Sequence, residues 1–430
     1  MKVNIIGAGL AGCEASFLFA KIGLQVTVFE QKPLKFSDAH KSEGFAELVC
    51  SNSLKSMRED SSQGMLKTEL AHFGSLVLET AYRCSVPAGG ALAVDRDIFS
   101  RLITQQIKQE KNIEIKYQEV TELDTEGITI VASGPLTSGG LYEGIQKLCP
   151  ESLSFYDAAA PIIMANSIDM DRVFAASRYE KGEDDYLNCP FNKAEYEEFY
   201  NALLTAERVE LKTFEEGMTV YEGCMPIEVM ATRGMDTMRF GPLRPVGLVN
   251  PKTGHRPWAN VQLRCEDAEK SMYNIVGFQT NLKFKEQKRV FGLIPGLENA
   301  EYVRYGVMHR NSFINSPKLL NPTLNLKEHP NVYFAGQLTG MEGYMESAMG
   351  GLLAAYFVWC ALENKQPQQP SGNTMCGALL RYITTQNADF QPMGSNMGIL
   401  PPLPKHIRDK RERYVALAQR GRQDIETIEI

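Results

Sequence analysis

The first thirty residues place the tightest constraint on the fold of this chain. Residues 2–6 form a short apolar run typical of a strand, and they lead directly into Gly7-Ala8-Gly9-Leu10-Ala11-Gly12, which fits the pattern G-x-G-x-x-G. A helical pattern follows from Cys13 to about Ile22, and residues 25–29 read as a second strand that ends in Glu30. This order of strand, glycine loop, helix, strand and acid is the fingerprint of a dinucleotide-binding unit.

Each glycine of this loop has its own physical task. Gly7 permits a tight turn, Gly9 lets the backbone approach a pyrophosphate, and Gly12 allows the helix to pack closely on the strand. The start of the helix offers free N–H groups and the positive end of its dipole to the phosphates. Glu30 follows Gly12 by eighteen residues, where it can accept hydrogen bonds from the adenosine ribose. We therefore expect these residues to bind a dinucleotide.

Length and composition leave room for one large or two medium-sized domains. The chain has 430 residues, of which 43% are hydrophobic and 23% charged, values ordinary for a globular protein with a full core. Its longest apolar run, residues 352–362, is shorter than a membrane helix, and the first strand begins too near Met1 to leave room for a signal peptide. Nine cysteines without a C-x-x-C motif argue against a disulfide framework or a zinc site. These features predict a cytoplasmic protein without a membrane segment or a bound metal.

A second glycine-rich segment predicts the other end of the same cofactor site. Residues 331–337 form a strand-like run that ends in Gly336-Gln337, and a helical pattern follows through Leu362. In flavoproteins such a strand passes the ribityl chain, and the helix directs its N-terminus at the flavin. Gly134, in a turn after another predicted strand, lets the backbone approach the ligand. Two segments about 300 residues apart are thus predicted to contact the same cofactor, which favours FAD over NAD as the tightly bound group.

The order of the predicted strands and helices indicates an α/β fold with a mostly parallel sheet. Between about Tyr156 and Tyr305 the pattern changes to short strands and glycine- or proline-rich turns, with no dinucleotide motif. We therefore predict a Rossmann-like FAD-binding domain made of residues 1–155 and 306–430. It is interrupted by a smaller α+β insertion domain of residues 156–305, and its last part carries a basic C-terminal helix.

Two cysteines precede predicted helix starts. Cys50 is followed by residues 51–53 (Ser-Asn-Ser), any of which could cap a short helix, and Cys224 is followed by Pro226 and Glu228, which suit a first turn. A thiolate beside a helix N-terminus is stabilised by the dipole and the free N–H groups. From this chemistry alone, each cysteine could equally be a small structural residue. If both react, they fit a nucleophile and acid pair or a redox pair.

The charges are distributed unevenly along the chain. The net charge is −7, yet residues 405–422 carry seven basic and two acidic side chains, a local excess of +5. A basic helix on an acidic protein is either a solvated face or a binding patch for phosphates. A nucleic acid would therefore have to bind to a local patch, of which this segment is the densest. Residues 283–289 of the insertion form a second basic cluster.

With these motifs in view, the chain resembles the folate- and FAD-dependent tRNA (uracil-5-)-methyltransferase family, TrmFO. This family is a smaller relative of the GidA/MnmG tRNA-modifying flavoproteins. The resemblance extends over essentially the whole chain. It rests on Gly7 to Glu30, residues 49–53, residues 223–228, His309-Arg310-Asn311, and Gly336 to Gly351.

The resemblance implies a reaction with three small-molecule participants. NAD(P)H would reduce FAD, 5,10-methylenetetrahydrofolate would give its one-carbon unit to the reduced flavin, and this carbon would pass to C5 of the T-loop uridine in tRNA. Such chemistry needs a thiolate that adds to C6 of uracil, since C5 is otherwise a poor nucleophile, and a hydride that completes the methyl group. No S-adenosylmethionine site is needed.

The resemblance also assigns roles to residues. Matched by motif, Cys50 and Cys224 are the two catalytic cysteines, with Cys224 attacking C6 and Cys50 assisting removal of the proton from C5. His309 would stack on the pterin ring of the folate.

Three alternatives remain open from the sequence. The same chemistry could act on a ribosomal RNA uridine, the protein could be a plain FAD oxidoreductase of a small molecule, or it could bind RNA or a partner as a scaffold without catalysis. The basic C-terminal segment and the pair of cysteines disfavour the second. The sequence does not distinguish NADH from NADPH, nor a monomer from a homodimer.

Overall fold

The computed structural model describes residues 2–37, 39–150, 153–180, 184–209, 225–388 and 390–428. The strands, numbered in chain order, are β1 (Val3–Ile6), β2 (Val26–Glu30), β3 (Ser53–Ser56), β4 (Ser85–Val86), β5 (Ala91–Val94), β6 (Ile113–Tyr117), β7 (Ile128–Val131), β8 (Leu153–Ala158), β9 (Ile162–Met164), β10 (Phe174–Ala175), β11 (Tyr186–Phe191), β12 (Ala259–Cys265), β13 (Met272–Ile275), β14 (Tyr302–Arg304), β15 (Met308–Phe313) and β16 (Val332–Phe334). The helices are α1 (Leu10–Lys21), α2 (Ser62–His72), α3 (Leu76–Arg83), α4 (Arg96–Gln109), α5 (Gly139–Leu148), α6 (Lys193–Leu204), α7 (Ile227–Thr232), α8 (Thr237–Phe240), α9 (Phe284–Phe291), α10 (Ser316–Leu319), α11 (Tyr344–Leu362), α12 (Met375–Thr384) and α13 (Lys410–Ile425).

A five-stranded parallel sheet forms the centre of the fold, in the order β16-β7-β1-β2-β6. In the central strand, Val3 lies opposite Val26 of β2 on one side and Ile128 of β7 on the other. Val3 and Ile5 are fully buried, as expected for a parallel strand covered on both faces. The predicted α/β fold with a mostly parallel sheet is confirmed.

Helices α1 and α11 pack against each other over this sheet. Their backbones approach so closely that a Cβ added to Gly351 would lie 2.1 Å from the carbonyl oxygen of Ala11. Within the described part of the chain, α11 alone is long and apolar enough to cross a membrane. In its most apolar window 83% of the residues are buried in the protein. It is therefore a core helix that stabilises the sheet.

A second sheet has six antiparallel strands, in the order β10-β11-β12-β13-β9-β14. All of them come from residues 162–304, and helices α6, α7 and α9 bury one face over an aromatic core. The ring centroids of Phe199 and Phe278 lie 6.0 Å apart, and those of Phe278 and Phe291 lie 5.2 Å apart. Strands β8 and β15 pair with each other on either side of this segment. The division of the chain at residues 155 and 305 stays a prediction.

Two helices begin at buried carboxylates. Glu69 of α2 is 1% exposed and accepts hydrogen bonds from the backbone N–H groups of Met375 (2.6 Å) and Cys376 (2.8 Å), at the start of α12. Glu14 of α1 caps the start of α3 in the same way. Burial raises the pKa of each carboxyl to about 7. The acids thus join distant helices and titrate in the neutral range.

We expect the stability of the protein to fall between pH 5 and pH 8, partly through Glu69. Because its pKa is raised in the folded state, the folded protein binds the proton more tightly, and the stabilising contribution of the protonated acid is lost as the pH rises through about 7. The full effect is on the order of 3 kcal/mol for one such group. In thermal unfolding measured across this pH range, the stability of Glu69→Gln should therefore fall less with rising pH than that of the parent. The exposed Glu143→Gln is the control, and an unchanged pH dependence in Glu69→Gln would contradict this account.

Candidate active site

Four neighbouring strands of the parallel sheet end at one groove. At their carboxyl ends lie Gly7 after β1, Glu30 at the end of β2, Gly134 after β7 and Gly336 after β16. This edge is where open α/β sheets bind their ligands. The groove consists of two cavities, of about 720 and 820 Å³ with the space open to solvent, that meet at common wall residues. The shared wall is made of Gly9, His40, Glu47, Ser133 and Leu136.

The glycines of the first loop differ in the space around them. A Cβ on Gly7, which has a φ of +100°, would lie 2.7 Å from the carbonyl oxygen of Ala132. One on Gly12 would lie 1.9 Å from the carbonyl oxygen of Gly7, so α1 packs directly on the loop. By contrast, nothing lies within 4 Å of a Cβ added to Gly9, which lines both cavities. Gly9 is thus the position where the backbone faces open space in the groove.

Helix α1 begins after Gly9 with no side-chain cap, so its first N–H groups face the groove. Glu30, only 6% exposed, accepts hydrogen bonds from the N–H groups of Ala8 (2.8 Å) and Lys32 (2.9 Å). Each carboxylate oxygen keeps a second lone pair for a ligand hydroxyl. An acid for a ribose therefore lies in the first cavity, and backbone N–H groups for a pyrophosphate lie where the two cavities meet, at Gly9 and the start of α1.

The second cavity is lined by the segments that follow β7 and β16. Gly134 (φ +78°) has nothing within 4 Å of an added Cβ, while Gly336 (φ +71°) lies against Ala11 of α1. Gln337 lines the same cavity and donates a hydrogen bond to Glu342. Helix α11 begins at Tyr344 without a side-chain cap. The two connected cavities, with their open glycines and helix starts, fit an extended dinucleotide of the size of FAD.

Cys50 lies at the far end of this groove, in the wall of the second cavity, together with Tyr344. The tyrosine hydroxyl accepts hydrogen bonds from the N–H groups of Cys50 (2.9 Å) and Ser51 (3.2 Å), and it lies 2.9 Å from Cys50 Sγ. Burial, with the nearby Cys50 as a second cause, raises the pKa of Tyr344 well above its ordinary value. The hydroxyl therefore keeps its single proton, and because both N–H groups occupy its lone pairs, that proton is available to the sulfur. Tyr344 is a donor that favours the Cys50 thiolate.

Three arginines hold the loop around Cys50. Arg264 donates to Asn52 Oδ1 (2.9 Å) and Ser51 Oγ (2.8 Å). Arg304 donates to the carbonyl of Val49 (2.5 Å), and Arg96 donates to the same carbonyl and to that of Leu48. Arg264 and Arg304 belong to the antiparallel sheet and Arg96 to α4, so the loop that carries Cys50 is held between this sheet and α4.

The charge of this cluster also favours an anion. Glu266 forms an ion pair with Arg96 at 2.7 Å, which partly offsets the positive charge of the three arginines. Burial lowers the pKa of Arg264 and of Arg304. Both groups remain cationic at neutral pH, because the guanidinium group has an intrinsically very high pKa. Like the hydroxyl of Tyr344, their positive charge stabilises a thiolate at Cys50.

The predicted helix after Cys50 is wrong. Ser53 begins strand β3, which pairs with β5 through Ser53 and Ala93, and the buried amide of Asn52 donates to the carbonyls of Val94 and Cys265. The thiol therefore lies next to a tyrosine and an arginine cluster rather than a helix N-terminus. Sequence reasoning missed Tyr344, Arg96, Arg264 and Arg304, because no local motif connects them to Cys50. The sequence feature that could have indicated a cationic cluster is the presence of Arg264 and Arg304 within strands of the insertion.

Two predicted site residues, Cys224 and His309, have side chains outside the described part of the structure. Cys224 lies outside the described residues, although helix α7 begins shortly after it, with Pro226 at its start and Glu228 in its first turn as predicted. His309 belongs to β15, and its side chain also lies outside the described part of the structure. Asn311, two residues further along this strand, lines the second cavity.

The basic C-terminal segment forms α13, and part of its charge is used within the protein. Arg411 Nε lies 3.8 Å from Asp60 Oδ2, and Arg422 Nη1 lies 3.8 Å from Glu59 Oε2. The two acids lie just before α2 in the chain. Arg420 donates to the backbone carbonyls of Pro401 and Pro402. These contacts reduce the local excess of charge. The role of this helix in binding RNA stays a prediction.

The sheet order, the glycine-lined groove and the acid at the end of β2 define a dinucleotide-binding protein of the flavoprotein class. Residues 2–366 match the family described as glucose inhibited division protein A. The chain belongs to this family and, within it, to the group of the TrmFO proteins. The predicted resemblance is confirmed.

Two relatives and one solved structure give the extent of this similarity. The chain is 56% identical to the methylenetetrahydrofolate–tRNA-(uracil-5-)-methyltransferase TrmFO of Acetivibrio thermocellus, over 97% of this chain and 96% of that protein. It is 54% identical to the protein of the same name from Caldicellulosiruptor bescii, over 98% and 97% of the two chains. The crystal structure of Aquifex aeolicus GidA is similar in fold, with a TM-score of 0.70 at 16% identity, over 100% of this chain and 76% of that one.

Proposed function

We propose that this protein forms 5-methyluridine in the T-loop of tRNA, with 5,10-methylenetetrahydrofolate as the one-carbon donor, NAD(P)H as the reductant and FAD as the bound cofactor. The observation that carries the proposal is the position of the Cys50 thiol, at the end of the FAD-sized groove and 2.9 Å from a tyrosine hydroxyl. The names of the relatives, which state the folate donor and the tRNA uracil, support it. Modification of tRNA also implies that the protein acts in the cytoplasm.

The proposed cofactor-binding residues are those that line the groove. The loop from Gly7 to Gly12, including Ala8, Leu10 and Ala11, would hold the pyrophosphate, Glu30 would hold the adenosine ribose, and Gly134, Gly336 and Gln337 would pass the ribityl chain and the flavin. When bound, FAD supplies the hydride and the redox chemistry that the methyl group requires. Asn311 lines this end of the groove, which supports His309 on the same strand as the contact to the folate pterin.

The two cysteines divide the chemistry on uracil. The Cys224 thiolate adds to C6, which moves electron density to C5 and makes this carbon a nucleophile toward the methylene unit. The Cys50 thiolate then takes the proton from C5, and the electron pair of that C–H bond expels the group that carried the methylene carbon, which leaves an exocyclic methylene at C5. Addition of a hydride to this methylene would complete the methyl group and expel the Cys224 thiolate from C6, which restores the double bond of the uracil ring. In this assignment Cys50 acts as a base, for which an arginine cluster and a tyrosine donor that favour its thiolate are suitable.

The experiment that tests this proposal compares two RNAs from a strain that lacks the enzyme. Purified protein would be incubated with tRNA or ribosomal RNA, 5,10-methylenetetrahydrofolate and NADPH, and the nucleosides would be identified by mass spectrometry. We expect 5-methyluridine in the tRNA. If 5-methyluridine appeared in ribosomal RNA alone, tRNA would not be the substrate. If it appeared in neither RNA, the proposed methyltransferase activity would be contradicted. Denaturation of the protein should release FAD, and recovery of FMN would contradict the groove assignment.

We expect Tyr344→Phe to slow methyl transfer by about ten- to a hundredfold while FAD stays bound. The variant keeps the ring but removes the hydroxyl that donates to Cys50 Sγ, so less of the thiol is ionised at neutral pH. Single-turnover rates measured against pH should show the acidic limb moved to higher pH, with partial recovery of the rate in alkaline solution. The control is Tyr356→Phe on the same helix, whose hydroxyl accepts a hydrogen bond from the N–H of Gln368. An unchanged pH profile would remove Tyr344 from the mechanism.

A further inference from the structure

Three aromatic rings stack in a row at the edge of the antiparallel sheet. Tyr302 and Tyr305 lie with ring centroids 4.7 Å apart and planes 7° from parallel, and Tyr305 and Phe284 lie 4.5 Å apart and 18° from parallel. The inner ring is fixed, because the hydroxyl of Tyr302 donates to the carbonyl of Gln287 at 3.1 Å. The outer ring, Phe284, is 53% exposed. Since Tyr305 covers one face of Phe284, the exposed part is the opposite face.

This arrangement differs from the scattered apolar side chains that every protein surface carries. The three rings lie nearly parallel, with the centroid separations of offset stacks, and they form a continuous row rather than isolated pairs. The row ends in a flat face open to solvent. A nucleobase is a planar ring system that stacks on such faces, and proteins that bind single-stranded nucleic acid use aromatic side chains in this way.

The charge around the outer ring fits an anionic partner. Phe284 begins α9, and residues 283–289 contain four basic side chains and one acidic one. Two of the four are engaged with carboxylates: Lys283 pairs with Glu207 at 2.9 Å, and Arg289 pairs with Glu286. Lys285 and Lys288 are exposed on the same helix. On a protein with a net charge of −7, this is a local basic patch next to an aromatic face.

The ring stack is also connected to the candidate active site. Arg304 stands in the chain between Tyr302 and Tyr305, and its guanidinium donates to the carbonyl of Val49, the residue before Cys50. The segment 302–305, which carries two of the three rings, therefore also contacts the Cys50 loop. An RNA loop whose uridine lies at Cys50 would have neighbouring nucleotides on this side of the protein.

We propose that the exposed face of Phe284 stacks on a nucleobase of the RNA substrate near the target uridine, with Lys285 and Lys288 contacting the adjoining phosphates. The inference rests on the proposed function and names the surface by which the RNA is held. It adds an RNA contact that is independent of the basic C-terminal helix.

The test compares Phe284→Ala with Phe240→Ala, a control at the end of α8 that is 83% exposed and lies away from the basic cluster in sequence. Binding to a T-loop stem-loop RNA is measured without turnover, and KM and kcat for the RNA are measured separately. We expect Phe284→Ala to weaken RNA binding by about ten- to a hundredfold and to raise KM, and Phe284→Trp to restore both. Oxidation of NADPH by the flavoprotein in the absence of RNA should be unchanged.

Salt dependence tests the lysines in the same assay. The double variant Lys285→Ala/Lys288→Ala removes two phosphate contacts and should therefore reduce the slope of log Kd against log salt by about one and a half to two units. RNA affinity of Phe284→Ala equal to that of Phe240→Ala and the parent would overturn the inference. A parent protein that binds the RNA through Phe284 but methylates no RNA would instead overturn the proposed function, so the two failures are distinguishable.

Discussion

Cys50→Ala and Cys224→Ala should each lower the rate of methyl transfer to RNA by about a thousandfold or more, with FAD still bound. Cys224 is proposed to bond to C6 and Cys50 to take the proton from C5. Removal of such a group commonly lowers the rate by several powers of ten. Neither residue belongs to the glycine loop that would hold the pyrophosphate, so the flavin spectrum should be retained. Single-turnover methyl transfer is the measurement.

The control for these variants is Cys84→Ala. Burial raises the pKa of the Cys84 thiol to about 11, so this cysteine stays protonated and should be inert. RNA that contains 5-fluorouridine separates the two roles, because fluorine at C5 blocks the proton removal that precedes release of the C6 thiolate. A covalent complex on a denaturing gel should form with the parent and with Cys50→Ala, but not with Cys224→Ala. A complex that depends on Cys50 instead would exchange the two assignments, and near-normal turnover in either variant would remove that cysteine from the mechanism.

Gly9→Ala and Gly12→Ala should both lose FAD, but for different reasons. The thermal stability of the apoprotein distinguishes the two reasons. A Cβ on Gly12 would lie 1.9 Å from the carbonyl oxygen of Gly7, so the loop or the helix must shift and the apoprotein should unfold at a lower temperature. A Cβ on Gly9 meets no protein atom within 4 Å, and its backbone has a φ of −75°, which alanine adopts without strain. Gly9→Ala should therefore leave the thermal stability of the apoprotein nearly unchanged.

FAD affinity is then the measurement that identifies Gly9 as a ligand contact. If the pyrophosphate lies against the backbone of Gly9, the added methyl group occupies its place, and the affinity should fall by about a hundredfold or more. Gly90→Ala is the control, since an added Cβ there also meets nothing within 4 Å and the residue lies outside the groove. Normal FAD affinity in Gly9→Ala would place the pyrophosphate elsewhere.

The dinucleotide unit was predictable because its determinants are local. The glycines, the helix and the acid between Gly7 and Glu30 lie within twenty-four residues, and a pattern of this length implies its own geometry. The second half of the groove was predictable for the same reason, since residues 331–337 form a strand that ends in glycine, and β16 and Gly336 are found there. The parallel sheet then brings these distant segments to one edge.

The surroundings of Cys50 were not predictable in this way. Its tyrosine partner is 294 residues away in the chain, and Arg264 lies 213 residues from Ser51. Residues 51–53 were possible caps of a short helix that would follow them, but pairing of β3 with β5 prevailed, because tertiary contacts override local preference in so short a segment. The electrostatic environment of the thiol therefore depends on contacts with α4, α11 and the antiparallel sheet, which no local pattern in the sequence encodes.

The central claim is that the methyl carbon comes from the folate and reaches uracil through this protein. The most direct measurement uses 5,10-methylenetetrahydrofolate with deuterium in its methylene group, NADPH, the purified flavoprotein and an unmodified tRNA transcript, followed by mass spectrometry of the nucleosides. We predict 5-methyluridine at the T-loop position with both deuterium atoms in its methyl group. An unlabelled methyl group, or methylation that requires S-adenosylmethionine and not the folate, would contradict the account.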